Sequence, residues 1–204
     1  MIAVVDYGMG NLRSVSKALE KVGGKVILTN RPEDIQKADK VVLPGVGAFQ
    51  DAMANLRENG LDASVLDAIS SGKPFLGVCL GLQLLYEWSA EDGRHEGLGV
   101  IPGNVVRFEA DSERPEMKIP QIGWNRARFV ADAPHLEGIP SGTHFYFVHS
   151  YYGVPTDDSV AATRTDYLTE FTSAIWRDNV FACQFHPEKS QHWGLKLYEN
   201  FVNL

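Results

Sequence analysis

Residues 77–85 read GVCLGLQLL, a thiol set between two glycines just after the apolar pair Phe75-Leu76. The pattern Gly77-x-Cys79-x-Gly81 places a potential nucleophile where a strand gives way to a helix. The backbone is strained at such a turn, and its neighbours must be small so that strand and helix can approach, which is the logic of a nucleophile elbow. The amide of Leu80 would then point at the oxygen of an attacked carbonyl. The dipole of a following helix, carrying Leu84, Leu85 and Trp88, would favour thiolate over thiol. A buried cysteine in a tight turn is the structural alternative, and this pentapeptide alone leaves both open.

A thiolate needs a base, and residues 180–190, VFACQFHPEKS, offer one. Pro187 pushes His186 toward an extended conformation, and residues two apart in an extended run point the same way, so His186 and Glu188 share a side. A carboxylate beside imidazole fixes its tautomer and stabilises the imidazolium. The pair can therefore take the proton of Cys79 and later deliver it to a leaving amine. The structural alternatives are a histidine that caps a loop and a solvated pair of Glu188 with Lys189. Cys183, mid-strand in FACQF without flanking glycine, reads as core packing. His95, His135, His144, His149 and His192 form no H-E-x-x-H or C-x-x-C arrangement, so no metal is expected.

Two glycine loops complete the chemistry-bearing residues. Pro44-Gly45-Val46-Gly47 follows a strand, opens toward the same crevice as Cys79, and can supply a second oxyanion amide; a turn that needs positive φ would use the same glycines. Gly8-Met-Gly-Asn11 invites a dinucleotide reading that fails, because Arg13 stands where a third glycine belongs and Thr29-Asn30 lacks the ribose-binding acid.

The elements that must position these residues alternate in period. Ile2 to Val5, Val26 to Leu28, Val41 to Leu43 and Pro74 to Val78 read as strands. Leu12, Val15, Leu19 and Val22 recur at helical spacing up to Gly23-Gly24, and Phe49 to Leu56 and Leu61 to Ile69 are helical around Gly60 and up to Gly72. Strands alternating with helices predict an α/β fold, a mostly parallel open sheet covered on both faces. Beyond residue 95, strands are expected at Gly99 to Phe108, Trp124 to Val130, His144 to Tyr151, Ser159 to Thr165, Ala174 to Trp176 and Val180 to Phe185. These should extend the same sheet in antiparallel fashion. Trp193, Leu197, Phe201 and Leu204 mark a last helix capped by Ser190.

With 204 residues, 44% hydrophobic and 22% charged, the chain suits one domain spanning 1–204. A net charge of −7 without a basic cluster argues against nucleic acid. The N-terminus lacks a signal-peptide pattern and no apolar run is long enough for a bilayer, so a cytoplasmic protein with free thiols and no membrane partner is expected.

GVCLGLQLL, PGVGAF, QFHPEKS, DYGMGNLRS and GWN together resemble the triad-type (class I) glutamine amidotransferases, among them the glutaminase subunits of imidazole glycerol phosphate synthase. The motifs run from Asp6 to Ser190. The resemblance implies a flavodoxin-like fold and no cofactor. It implies that Cys79 attacks the side-chain amide of L-glutamine, with His186 as acid and base, Glu188 orienting it, and the amides of Val46 and Leu80 as oxyanion hole. Gly45, Gly47, Gln83, Glu91, His149, Ser150 and Tyr151 would bind glutamine. Asn11, Trp124, Tyr146 and Lys189 would meet a (β/α)8 cyclase subunit, which uses the ammonia to make imidazole glycerol phosphate and aminoimidazole carboxamide ribotide in histidine synthesis. Gln121-Ile122 before GWN departs from the His-Met of many relatives. A glutaminase for another acceptor, such as pyridoxal phosphate synthase, and a flavodoxin-like binding module are the competing readings.

Overall fold

The computed structural model describes residues 1–204. Its first half alternates as expected: Ile2–Val5 (β1), Leu12–Lys21 (α1), Val26–Thr29 (β2), Pro32–Lys37 (α2), Lys40–Gly45 (β3), Phe49–Glu58 (α3), Leu61–Ser70 (α4) and Phe75–Cys79 (β4). The short α2 escapes the periodicity because only Ile35 in it is buried. After β4 comes a single turn, Leu80–Gln83 (α5), then Tyr86–Ser89 (β5), His95–Glu96 (β6), Ile101–Arg107 (β7), Gln121–Phe129 (β8), Thr143–His149 (β9) and Tyr151–Pro155 (β10). Ala161–Tyr167 (β11), Thr169–Arg177 (β12), Val180–Cys183 (β13) and Gln191–Asn203 (α6) close the chain.

One nine-stranded sheet runs β2-β1-β3-β4-β13-β12-β11-β8-β9. The strands from β2 to β13 pair in parallel and those from β13 to β9 antiparallel. Alternation along β1 sends Ala3 and Val5 into one apolar cluster with α2, α3 and α4, and Ile2 and Val4 into another with α1 and α6. The sheet is thus covered on both faces.

Three expectations are corrected. Residues 99–108 do not extend the large sheet; β7 joins a second sheet of order β10-β7-β5-β6. The expected strand 144–151 breaks at Ser150, where the chain leaves β9 in the large sheet and enters β10 in the small one. Alternation in a sequence reports burial of a face, not the sheet to which the strand belongs. The helix expected to carry Leu84, Leu85 and Trp88 stops after α5, and Trp88 lies in β5. Leu84 and Leu85 accept instead from the amides of Leu98 and Ile101, at 2.8 and 2.9 Å. They are buried between the two sheets, so an apolar run that looks helical serves non-local pairing.

The last helix also differs in detail. Ser190 makes no side-chain cap; its Oγ donates to His186 O at 2.6 Å and accepts from Tyr146 N at 3.0 Å. Gly194, Leu197, Tyr198 and Phe201 form the buried face of α6, while Leu204 is exposed.

His135 sits under this helix, stacked on Phe181 with ring centroids 4.4 Å apart and both nitrogens buried without partners. Burial, aided by the Lys40 charge, lowers its pKa to about 4. A folded pKa below the unfolded 6.5 means the unfolded chain binds more protons between those values, so stability is lost as pH falls from about 6.5 to about 4. The full shift represents roughly 3 kcal/mol, of which about 2–3 kcal/mol is lost between pH 7.5 and 4.5. Urea unfolding at pH 4.5 and 7.5 should show that His135→Leu loses about that much less than the parent over the same interval.

Candidate active site

Cys79 ends β4 with φ 55° and ψ −109°, a left-handed conformation that a side chain tolerates only where its surroundings enforce it. The surroundings here are two glycines. A β-carbon on Gly81 would overlap the carbonyl oxygen of Leu43 in β3, and one on Gly77 would stand 2.8 Å from the Ala182 side chain in β13. α5 therefore presses directly on the sheet, and the chain leaves β4 through a positive-φ turn that sets the buried Cys79 on the wall of a cleft. The elbow expected from Gly77-x-Cys79-x-Gly81 is present. The long helix dipole invoked for the thiolate is not, because α5 has a single turn.

His186 and Glu188 flank Pro187, as the extended geometry requires. His186 Nδ1 lies 2.8 Å from Glu188 Oε1, and each side chain is 1% exposed. Tyr198 from α6 donates to Glu188 Oε2 at 3.3 Å, so both carboxylate oxygens have partners. The backbone of His186 is tied to the large sheet through its amide, which donates to Tyr146 O at 2.9 Å. Neither a solvated Glu188–Lys189 pair nor a loop-capping histidine fits this burial.

Burial alone would push the His186 pKa down; the charge of Cys79 and the hydrogen-bonded Glu188 carboxylate outweigh it and raise the pKa to about 10. Its Nε2 is buried, and no hydrogen bond of standard geometry joins it to Cys79 Sγ. His149 is driven the other way, to about 4, by burial and by the positive charge of His186, against the opposing effect of its bond to Tyr151 O.

Cys79 and His186 open on a cleft of about 320 Å³ that also has Val46, Gly47, Leu80, Gln83, Glu91, His149, Ser150 and Tyr151 on its walls. Gly45 lies just behind it, paired with Cys79 in the β3–β4 register. A β-carbon on Gly45 would overlap the Tyr7 hydroxyl, which donates to Pro44 O at 2.8 Å, so the N-terminal loop clamps the root of the Pro44–Gly47 loop. Glu91 has a second duty: Oε2 accepts from Phe49 N at 2.7 Å and holds the start of α3. His149 commits both nitrogens, Nδ1 to Tyr151 O at 2.8 Å and Nε2 to the Gln121 carboxamide at 3.0 Å. Gln83 Nε2 donates to Tyr151 O and to Gln184 Oε1, each at 3.0 Å.

Trp124, Tyr146 and Lys189 cluster outside the cleft: the two rings meet edge to face at 6.1 Å, and Lys189 Nζ lies 5.6 Å from the Tyr146 ring. Asn11 lies at the start of α1, which touches the Pro187–Lys189 turn. Sequence reasoning missed Tyr7, Gln184 and Tyr198, and marked Gln121 only as a departure from relatives. Of the residues missed, only Gln184 carried a signal, an amide in the otherwise apolar run FACQF.

A family model described as glutamine amidotransferase class-I matches residues 3–204. The chain belongs to that family. Curated relatives include an imidazole glycerol phosphate synthase subunit HisH of Syntrophotalea carbinolica, 54% identical over the whole of both chains. Another of the same name, from Aquifex aeolicus, is 55% identical over 97% of this chain and 94% of its own. Among solved structures, a glutamine amidotransferase superposes with a TM-score of 0.77 at 18% identity over 100% of both chains. The structure of PurLQS from Thermotoga maritima gives 0.76 at 21% identity over 99% of this chain and 97% of that one. The likeness to these two lies in the fold.

For this amidotransferase the buried carboxylate is open to a direct test. Glu188→Gln keeps a partner beside Nδ1 but removes the negative charge. The imidazole titration of His186, followed by NMR, should move down from about 10, and glutamine turnover should fall by about 10²- to 10⁴-fold.

Proposed function

We propose that this chain is the glutaminase subunit of an imidazole glycerol phosphate synthase, hydrolysing glutamine to glutamate and ammonia and delivering the ammonia to a separate subunit. The observation that carries the reading is an elbow cysteine, held at φ 55°, sharing one cleft with a buried His186–Glu188 pair bonded at 2.8 Å. The name borne by relatives about half identical along their full length supports the choice of acceptor.

Thiolate attack by Cys79 on the side-chain carboxamide carbon forms the C–S bond and places negative charge on the oxygen, which the amides of Leu80 and Val46 receive. His186 Nε2 gives its proton to the amide nitrogen, the C–N bond breaks, and ammonia leaves. The γ-glutamyl thioester remains on Cys79. Water then attacks the same carbon as His186 takes its proton; the C–S bond breaks, and glutamate and the thiolate are restored. Glu188 stays ionised, holding Nδ1–H and stabilising the imidazolium. Gly45, Gly47, Gln83, Glu91, His149, Ser150 and Tyr151 shape the glutamine site.

The partner is a (β/α)8 cyclase, met by Asn11, Trp124, Tyr146 and Lys189 in a cytoplasmic heterodimer, with residues 1–204 as one glutaminase domain. Trp124 at 47% and Ile122 at 63% exposure are large apolar groups available to cover. Ammonia released without an acceptor is protonated to ammonium, which is no nucleophile, so idle hydrolysis wastes glutamine. The Gly45–Val46 segment is the gate: Val46 is exposed and Gly47 sits at φ +101°, so its peptide can turn while Tyr7 holds Pro44.

Two experiments test this. A glutamine-like electrophile should add its mass at Cys79, and Cys79→Ser should abolish glutamate release; retained release removes the thioester route. Adding the cyclase with its ligand should raise glutamine turnover by about 10²- to 10³-fold, the worth of one oxyanion donor, whereas equal turnover disposes of the gate.

A further inference from the structure

Gln184 follows β13 with no exposed surface, between the equally buried Cys183 and Phe185. Burying a primary amide among apolar side chains is unfavourable unless its hydrogen bonds are made. Its partners are all in the thiol site. Gln184 Nε2 donates to Cys79 Sγ at 3.7 Å, and Oε1 accepts from Gln83 Nε2 at 3.0 Å. Gln83 Nε2 spends its other hydrogen on Tyr151 O, also at 3.0 Å.

Two consequences follow from these bonds. A donor aimed at sulfur favours the charged form of the nucleophile. With both Gln83 hydrogens committed, the carboxamide oxygen is the polar atom that Gln83 has left for the cleft it lines. That oxygen selects a hydrogen-bond donor on the ligand, an ammonium or an amide NH₂.

We infer that Gln184 is a positioning residue: it holds the Cys79 sulfur in donor contact and fixes the Gln83 carboxamide so that its oxygen is what the ligand meets. The inference rests on Cys79 being the nucleophile.

Two substitutions of nearly equal volume separate the two duties. Gln184→Glu keeps an acceptor for Gln83 but replaces the donor at sulfur with a carboxylate oxygen. Gln184→Met removes both. In the full chain, iodoacetamide alkylation of Cys79, located by mass, is followed against pH beside steady-state glutamine hydrolysis. For Gln184→Glu the alkylation profile should move to higher pH, with kcat down about tenfold and KM for glutamine within about twofold of the parent. For Gln184→Met, KM should rise about tenfold as well, because the Gln83 amide loses the acceptor that orients it.

A merely structural glutamine would lower the melting temperature and leave the alkylation profile and KM of the folded fraction unchanged, and that result overturns the inference. Gln184→Met alone decides the matter if Gln184→Glu does not fold. Failure of the underlying reading looks different: Cys79→Ser would still release glutamate, whatever stands at 184.

Discussion

The carbonyl oxygen of Leu43 occupies the space that a β-carbon on Gly81 would need. Because that carbon is absent, α5 can pack against β3, and β4 ends in a positive-φ turn that sets the buried Cys79 on the wall of the cleft. The same closeness brings Gly45 opposite Cys79 in the sheet register, so the loop carrying Val46 starts beside the sulfur. β13 lies on the other side of β4 and delivers Gln184 and His186 from its end. Three neighbouring strands thus place Cys79, His186 and the Val46 loop at their carboxyl ends, where parallel sheets leave a crevice. The strain at Cys79 is held by rigid neighbours rather than by a long helix dipole, since α5 is too short to supply one.

The electrostatics of the cleft follow from two histidines driven apart. His186 is raised to about 10 by the Cys79 charge and Glu188, and His149 is lowered to about 4 by burial and by His186 itself. The two environments thus separate the pKa values of two like groups in one cleft, with His149 kept neutral against its wall. His149 Nε2 lies 3.0 Å from Gln121 Oε1; with Nδ1–H committed to Tyr151 O, a neutral His149 has only a lone pair at Nε2, and a bond there requires the Gln121 carboxamide to turn its NH₂ toward it.

Much of this was legible in the chain, for identifiable reasons. Elbow glycines and an X-Pro bond act locally, so Cys79 and the shared side of His186 and Glu188 could be read from a few residues. The first four strands and helices α1, α3 and α4 came from apolar periodicity, which burial on two faces of a parallel sheet enforces. Features set by non-local pairing were not legible. Nothing near Leu84 says that its carbonyl serves Leu98, nor does anything near Ser150 say that two sheets meet there. Tyr7 and Tyr198 look like ordinary core aromatics until their hydroxyls are seen on Pro44 O and Glu188. Glu91 was assigned to glutamine alone, and its bond to the Phe49 amide shows that one carboxylate also fixes a helix start.

β8 has two faces with different work. Ile122 and Trp124 point outward and are exposed, whereas Gln121 is buried against His149. From Gln121 the hydrogen bonds run through His149 to Tyr151 O, then through Gln83 to Gln184 and Cys79, with every link except the last at 3.0 Å or less. Each side chain on that path is buried, so none can change partners without leaving a polar group unpaired, which costs about 1–3 kcal/mol. β8 is therefore not mechanically separate from the thiol: any shift of the strand that moves Gln121 must be accommodated along the whole path or break it.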